Sequence, residues 1–275
     1  LEPTKQLRVV LQRRPVISGK LVRYEGADTL RNHIWVAEEP SPGLMQGATV
    51  DEDGRFRYPL GRANEEVWIM LLPPGVADVL LGPFVLAPNE QHDVGLVQLD
   101  PGRVVEGRTT DRQGLPIEGA RVRVYRPGRR EMRFFGMGRN PEATTAGDGT
   151  FRIEQVHRGE ATVLATHPNY APVQFADSGS GRLTLVMHPP SFLDGRLVGK
   201  GGEPLGRVRV VVDGGVLDAI PEVAYGQTDE GGRFRLGPFP AGTYRVRALR
   251  EGSWQGVGEV RLVEGEAAQA EWTVR

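Results

Sequence analysis

The 275-residue sequence has no cysteine, three lysines among its 34 basic residues and only 7% aromatic residues. The absence of cysteine excludes disulfides, thiolate zinc sites and a thiol nucleophile. The sequence contains no run of 18 apolar residues, the length that a membrane-spanning helix requires, and no signal-peptide pattern. The formal net charge of −1 argues against a dedicated nucleic-acid binder, which needs a clustered positive field.

Glycine and proline are abundant, with 37 and 21 residues. This content is typical of a globular, turn-rich protein and stays below the share that marks disordered or collagen-like chains. The sequence begins with leucine, so we expect a processed or excised piece of a longer protein. No segment has the periodicity of an amphipathic helix of three turns.

A repeat with a period of 88 residues runs through the chain. An apolar pair, one further residue and a glycine end at Gly19, Gly107 and Gly195, each 88 residues after the previous one. A short alternating segment precedes each copy, and a fourth such segment, residues 271–275, closes the chain. Residues 1–14 are therefore predicted to be the last strand of a preceding repeat or an N-terminal extension.

A second landmark, an Asp/Gly-rich turn followed by x-Phe-Arg, places Gly54, Gly149 and Gly232 before a strand. Glycine supplies the positive φ that a tight hairpin turn needs, and the alternation that follows has the period of a half-buried strand. Short strands at intervals of about 8 to 12 residues, with turn residues between them, indicate an all-β sandwich or barrel.

Two further patterns complete the order of motifs. Gly-x-Pro-Leu/Ile, followed by a glycine one or two residues later, precedes Val-x-Val at 114–124 and 202–210, and Pro-x-Gly-x-Tyr-x-Val occupies 240–246. In this order the motifs resemble the carboxypeptidase regulatory-like family, although the first repeat departs from the pattern at 30–36. The resemblance implies transthyretin-like, Ig-like β-sandwich domains that are non-catalytic and often occur in strings on envelope-anchored or secreted bacterial proteins.

The predicted organisation is three tandem sandwiches in an elongated array. Their seams are expected near Pro101–Gly102 and Pro189–Pro190, where proline and glycine limit strand continuation. The predicted boundaries are 15–100 for the first repeat, 101–189 for the second, which carries an insertion at 125–143, and 190–275 for the third.

Catalytic and metal-binding patterns are absent from the sequence. None of the five histidines lies at ligand spacing from another, and there is no Gly-x-Ser-x-Gly elbow or phosphate-binding loop. Asp51-Glu52-Asp53-Gly54 could begin a calcium loop, but the rest of that pattern is missing. Lys20 could form an isopeptide bond, but its counterparts one and two periods later are arginines. We predict no enzyme activity, no cofactor and no catalytic or metal-binding residue.

Partner binding is predicted for the insertion of the middle repeat, because arginine and aromatic residues dominate binding hot spots. The alternative is that its phenylalanines fold back over a neighbouring repeat while its arginines are solvated. Trp254, in a predicted turn, is either a platform for a sugar ring or a packing cap, whereas Trp68 is predicted to be core. The proposed partner-binding residues are Arg129, Arg130, Arg133, Phe134, Phe135 and Trp254.

The function that this pattern favours is a spacer and protein-interaction or adhesion scaffold in the bacterial cell envelope (periplasm or outer surface) or in a secreted protein. The alternative is a carbohydrate-binding accessory region of a larger secreted enzyme. The predicted partner is a protein or a surface polysaccharide, and the arginines favour an anionic one; neither nucleic-acid binding nor a membrane span is predicted.

Overall fold

The computed structural model describes residues 13–22, 34–38, 45–71, 75–126, 141–179, 181–214 and 225–274. The regular elements in these ranges are β-strands, which form six sheets. The predicted all-β sandwich fold is confirmed. Within the described part of the chain, no helix has the length and apolar character needed to cross a membrane.

The chain divides into two compact units, one containing the residues up to Arg103 and the other most of the residues from Val104 onward. The strands of the first unit are β1 (Val16–Val22), β2 (Ile34–Glu38), β3 (Met45–Ala48), β4 (Arg55–Pro59), β5 (Glu66–Leu71), β6 (Val79–Val85) and β7 (Gln91–Gln98). They form a three-stranded sheet in the order β4-β1-β7 and a four-stranded sheet in the order β3-β2-β5-β6.

The second unit contains two further sets of strands with the same connectivity. The middle set is β8 (Arg103–Thr110), β9 (Arg121–Tyr125), β10 (Glu142–Thr144), β11 (Thr150–Val156), β12 (Ala161–His167), β13 (Tyr170–Asp177) and β14 (Leu183–Val186). The last set is β15 (Ser191–Val198), β16 (Arg209–Asp213), β17 (Tyr225–Gln227), β18 (Arg233–Phe239), β19 (Gly242–Arg250), β20 (Ser253–Leu262) and β21 (Ala267–Thr273). We refer to the three sets as the first, middle and third sandwich; the residue boundaries of the domains stay a prediction.

The last strand of each sandwich closes it by pairing in parallel with the first. β7 pairs in parallel with β1, β14 with β8 and β21 with β15. The second neighbour of the first strand is antiparallel, as in the pairing of β15 with β18. This mixed sheet explains why the alternating segment at the end of each period recurs with the glycine motif: the two strands are partners within one sheet.

The repeated glycine is required because a phenylalanine ring packs against its backbone. Gly19 pairs with Phe56, and Gly195 pairs with Phe234, in adjacent antiparallel strands. A Cβ on Gly19 would lie 2.8 Å from the Phe56 ring, and one on Gly107 would lie 2.7 Å from the equivalent ring. Carbon atoms cannot approach this closely without displacing the ring. The two landmarks of the sequence are therefore the two sides of one contact.

Aspartate and glycine shape the turn that precedes each phenylalanine strand. Gly54, Gly149 and Gly232 have φ values of +81°, +76° and +75°, which confirms the predicted left-handed conformation. Oδ1 of Asp51 accepts hydrogen bonds from the backbone N–H groups of residues 53 and 55, at 3.0 and 2.8 Å. In the middle sandwich, hydrogen bonds from the hydroxyl and then the backbone N–H of residue 150 hold the pKa of Asp148 below its usual value.

A buried tyrosine anchors the turn before β19. The hydroxyl of Tyr244 donates a hydrogen bond of 2.8 Å to the carbonyl oxygen of Pro240, and its ring packs against Phe239 with centroids 5.2 Å apart. Burial raises the pKa of Tyr244 to about 12. The Pro-x-Gly-x-Tyr motif therefore combines a turn, a hydrogen bond and a core side chain.

Replacing the third repeat glycine, Gly195→Ala, is expected to lower the free energy of unfolding by about 1–3 kcal/mol, because the new methyl group overpacks the core against Phe234. Urea denaturation measures the change. Gly256→Ala is the control: a Cβ there meets nothing within 4 Å, so the change should stay within about 0.5 kcal/mol. Equal stability of Gly195→Ala and the wild type would contradict the packing requirement.

The Tyr244→Phe substitution should cost about 1 kcal/mol, because the hydrogen bond to Pro240 is lost. Since folding raises the pKa of Tyr244 to about 12, its ionisation equilibrium stabilises the folded state fully below the unfolded pKa of about 10. This stabilisation disappears as the pH rises through the folded value. Urea denaturation between these pH values should show a shallower loss of stability in Tyr244→Phe than in the wild type. Tyr225→Phe, at an exposed position, serves as the control for loss of a tyrosine hydroxyl and should match the stability of the wild type at neutral pH.

Candidate binding surface on the third sandwich

The candidate site lies on the four-stranded sheet β17-β16-β19-β20. Val210 and Val212 of β16 and Val246 of β19 point into the hydrophobic core. Side chains alternate along a strand. Val211, between Val210 and Val212, and Arg247, directly after Val246, therefore point to the opposite side of the sheet. We call this side of the sheet the outer face of the third sandwich.

Two exposed aromatic rings meet on the outer face. Tyr225 on the edge strand β17 is 64% exposed, and Trp254 on the opposite edge strand β20 is 40% exposed. Their ring centroids are 6.4 Å apart with an interplanar angle of 59°, so the rings lean towards each other across the middle strands. Val211 is opposite Tyr225 in the sheet and keeps only 7% of its surface exposed. The aromatic pair therefore forms a raised apolar area on an otherwise polar face.

Arginines surround this pair, and their charge is only partly neutralised. Arg245 and Arg247 share the carboxylate of Asp213: the Nε of Arg245 lies 3.3 Å from one oxygen, and Arg247 contacts the other. The Nε of Arg247 is buried and has no hydrogen-bond partner among the described residues. Arg209, opposite Gln227 on one side and Leu249 on the other, forms no ion pair within the described ranges. Glu259 is opposite Arg245 in the sheet, so among the described residues three arginines and two carboxylates leave this area with a net positive charge.

Gly256 leaves open space beside the aromatic pair. It is opposite Arg247 in the sheet and two residues after Trp254. A Cβ at this position would meet nothing within 4 Å, and the φ angle does not require glycine. A side chain could be accommodated here, so the gap is an accessible part of the surface.

The middle sandwich carries a different set of side chains at the same positions. Arg121 lies 88 residues before Arg209, and Glu142 takes the sheet position that Tyr225 has in the third sandwich. Glu142 forms ion pairs of 2.8 Å with both Arg121 and Arg123. Hydrogen bonds from Arg121 and then Arg123 hold the pKa of Glu142 below its usual value. Arg121 and Arg123 of the middle sandwich thus each have a carboxylate partner, whereas Arg209 has none among the described residues.

A cluster of charged groups joins the middle and third sandwiches. Arg112 donates one hydrogen bond from Nε to Nδ1 of His188, at 2.9 Å, and another to Oε2 of Glu264, at 2.6 Å. Arg112 belongs to the loop after β8, His188 follows β14 and Glu264 precedes β21. The contact therefore spans the predicted seam at Pro189–Pro190 and restrains the two sandwiches relative to each other.

Most of the predicted partner-binding residues cannot be placed. Arg129, Arg130, Arg133, Phe134 and Phe135 lie outside the described residues. Trp254 lies on the outer face, at the start of β20, and the predicted turn is the preceding pair at 251–252.

The prediction that Trp68 is a core residue was wrong. Val67 and Ile69 fill the core, and Trp68, between them on β5, points to the other side of the sheet and is only partly buried. The apolar run at 67–71 concealed this alternation, because both sides of the strand carry large apolar residues.

The alternative calcium site at Asp51 and its neighbours has a different explanation. An oxygen of the Asp51 carboxylate is engaged by two backbone N–H groups of its own turn. Among the residues that the structure describes, no group of three or more His, Asp or Glu side chains is placed to hold a metal ion.

Sequence reasoning missed Tyr225 and Arg209 as members of the site. Both stand on strands whose pairing brings them towards Trp254, which is 29 and 45 residues further along the chain. Tyr225 and Gln227 are separated by a glycine, and this alternation of larger side chains with glycine indicates an exposed strand at the edge of a sheet. Nothing in that pattern indicates that the strand lies in the sheet that also contains Trp254.

The middle sandwich is similar to a known family. Residues 104–187 match the model of the carboxypeptidase regulatory-like domain family. The chain is therefore a tandem β-sandwich protein whose middle sandwich matches this family model, as the motifs of the sequence suggested. The glycine–phenylalanine contact and the strand order of this domain recur in the other two sandwiches. No curated protein matches the sequence at a significant level.

Solved structures to which the chain is similar include two pilins. A streptococcal ancillary pilin is 14% identical, with a TM-score of 0.32 and coverage of 94% of this chain and 98% of the pilin. The minor pilin GBS52 of Streptococcus agalactiae is 16% identical, with a TM-score of 0.32 and coverage of 63% and 97%. The TIE protein of Bacillus anthracis is 14% identical, with a TM-score of 0.26 and coverage of 96% of this chain. The chain spans 50% of the length of the TIE protein.

The ion pair between Arg112 and Glu264 is expected to contribute about 0.2–1 kcal/mol, since both side chains are partly exposed. A double-mutant cycle with Arg112→Met and Glu264→Gln, followed by urea denaturation, measures this coupling, which should decrease in about 1 M NaCl. The control cycle uses Arg207 and Glu230, whose side chains are 81% and 90% exposed and 3.6 Å apart. Equal coupling in the two cycles would contradict a specific role at the seam.

Proposed function

We propose that this chain is a non-catalytic binding and spacing module of a bacterial cell-surface or secreted protein, and that it acts in adhesion. The observation that carries the proposal is the exposed pair of Tyr225 and Trp254 on the outer face of the third sandwich. Aromatic side chains of this size dominate the energy of binding interfaces, because they bring large contact areas at a small cost in conformational entropy.

The packing of the same sheet supports a binding role for the pair. The inward-facing residues of β16 and β19 are fully or nearly fully buried, so the core is complete without the two rings. Tyr225 and Trp254 nevertheless keep 64% and 40% of their surface exposed, and a ligand would remove this area from water. The exposed parts of the two rings are therefore available for binding.

The spacing role is supported by repetition. Sandwiches of one connectivity follow each other along the chain, and Arg112, His188 and Glu264 link the middle sandwich to the third. A string of domains that contact their neighbours extends its reach with each added copy and tends to place ligands on exposed loops and faces.

Adhesion can be measured with beads that carry the full chain. The beads are applied to surfaces coated separately with collagen, fibronectin, purified bacterial cell wall and acidic polysaccharides. We expect retention on at least one surface, and a decrease of about tenfold or more for the double variant Tyr225→Ala/Trp254→Ala, because a hot-spot aromatic residue contributes at least 1.4 kcal/mol.

The control variant is Phe175→Ala, which removes an aromatic ring of similar exposure, 44%, from the middle sandwich. It should be retained like the wild type. Thermal unfolding of all the variants establishes that they are folded. Absence of retention on every surface, or undiminished retention of the double variant, would refute the proposed function.

A further inference from the structure

We infer that the outer face of the third sandwich binds a polysaccharide whose sugars carry carboxylate groups, with Tyr225 and Trp254 against the sugar rings and Arg209 on a carboxylate. The inference rests on the proposed function and names the ligand class of the same face.

The geometry of the aromatic pair suits sugar rings. A pyranose ring has an apolar face of C–H groups and a rim of hydroxyl groups, so it packs on an exposed aromatic ring while its rim stays hydrated. Tyr225 and Trp254 are both accessible, and their planes are inclined by 59°, which presents two ring surfaces to consecutive sugars instead of one flat stack. The open space at Gly256 extends the surface beside Trp254.

The charge of the same face selects for an acidic sugar. Arg209 is one strand from Tyr225 and diagonal to it in the sheet, because Arg209 is opposite Gln227 and Val211 is opposite Tyr225. Diagonal neighbours of this kind are about 7–8 Å apart, which a long side chain can span. The planar guanidinium group matches the geometry of a carboxylate and can donate two parallel hydrogen bonds to it.

The neighbouring charges reinforce this preference. Asp213 is shared by Arg245 and Arg247, so a carboxylate on the ligand would meet a net positive field and not a balanced pair. Hydrogen bonds between a charged donor and a charged acceptor are stronger than neutral ones, and low ionic strength preserves this attraction at an exposed site.

A protein partner fits the observations less well than a sugar polymer. The core of a protein interface is a desolvated apolar cluster bordered by a polar rim. On the outer face, the exposed large apolar side chains among the described residues are only Tyr225 and Trp254, with charged residues around them. Two isolated rings with adjacent arginines suit a polymer in which each unit presents one apolar face and one charge.

The middle sandwich provides an internal comparison. It has Glu142 at the position of Tyr225 in the third sandwich, and the carboxylate of Glu142 forms ion pairs with Arg121 and Arg123. The same sheet positions therefore lack the aromatic ring, and each arginine there already has a carboxylate partner. We expect the outer face of the third sandwich to bind and that of the middle sandwich not to bind.

The test is titration of the full chain with polygalacturonate, alginate and hyaluronan by isothermal calorimetry at low ionic strength. Each polymer is compared with its carboxyl-reduced form, which keeps the sugar rings and lacks the negative charge. The expected result is binding of at least one polymer, about two- to fivefold tighter than its reduced form, since Arg209 forms an exposed ion pair with the carboxylate.

Three variants separate the contributions of the rings, the charge and the open space. Trp254→Ala should weaken binding of the acidic and the reduced polymer by the same factor. Arg209→Met should weaken only the acidic form and abolish the discrimination between the two. Gly256→Val should block both without loss of stability, because the added side chain enters open space. Arg121→Met in the middle sandwich is the matched control and should bind like the wild type.

The possible outcomes distinguish this inference from the proposed function. Equal affinity for the acidic and reduced polymers, or discrimination that persists in Arg209→Met, would overturn the ligand class. Binding of poly-glutamate, single-stranded DNA or a protein in preference to all three polymers, with loss in Trp254→Ala, would also overturn it while leaving a binding module intact. Failure to bind any of these probes, together with no bead retention on any surface, would overturn both proposals.

Discussion

In each sandwich a phenylalanine ring occupies the space that a side chain on the facing glycine would fill, and the surrounding strands depend on this contact. The glycine belongs to the first strand, which is central in its three-stranded sheet, and the phenylalanine begins the antiparallel neighbour. The last strand closes the same sheet from the other side by parallel pairing. A change at the glycine therefore disturbs the strand that holds the sheet together, and its position is the same in every copy.

The three sandwiches share this interior but differ on their surfaces, where function is located. In the middle sandwich, Glu142 forms ion pairs with two arginines at the position where the third sandwich has an aromatic ring. In the third, a tyrosine replaces the glutamate, a tryptophan stands on the opposite edge strand and Arg209 is left without an ion pair within the described part of the chain. Because the core does not use these residues, they can differ between copies at little cost to the fold.

Much of the fold could be predicted because its signals are local. A turn glycine needs positive φ, a half-buried strand alternates, and a regular period counts the copies. The candidate site was predicted only in part: Trp254 was named, but Tyr225 and Arg209 were not. Their proximity depends on the pairing of β17, β16, β19 and β20, and period-2 alternation does not reveal which strands are neighbours. The prediction that Trp68 is a core residue was wrong for a related reason: both sides of its strand carry large apolar side chains, so the sequence does not show which side faces the core.

The sequence by itself determined the all-β class, the 88-residue period and the turns at Gly54, Gly149 and Gly232, because these follow from the conformations of single residues and short segments. Only the tertiary structure decided that the last strand runs parallel to the first, that the repeated glycine faces a phenylalanine, and that Tyr225 and Trp254 meet. These contacts join residues separated by tens of positions along the chain. Their energy comes from packing and pairing between strands, which no local pattern specifies.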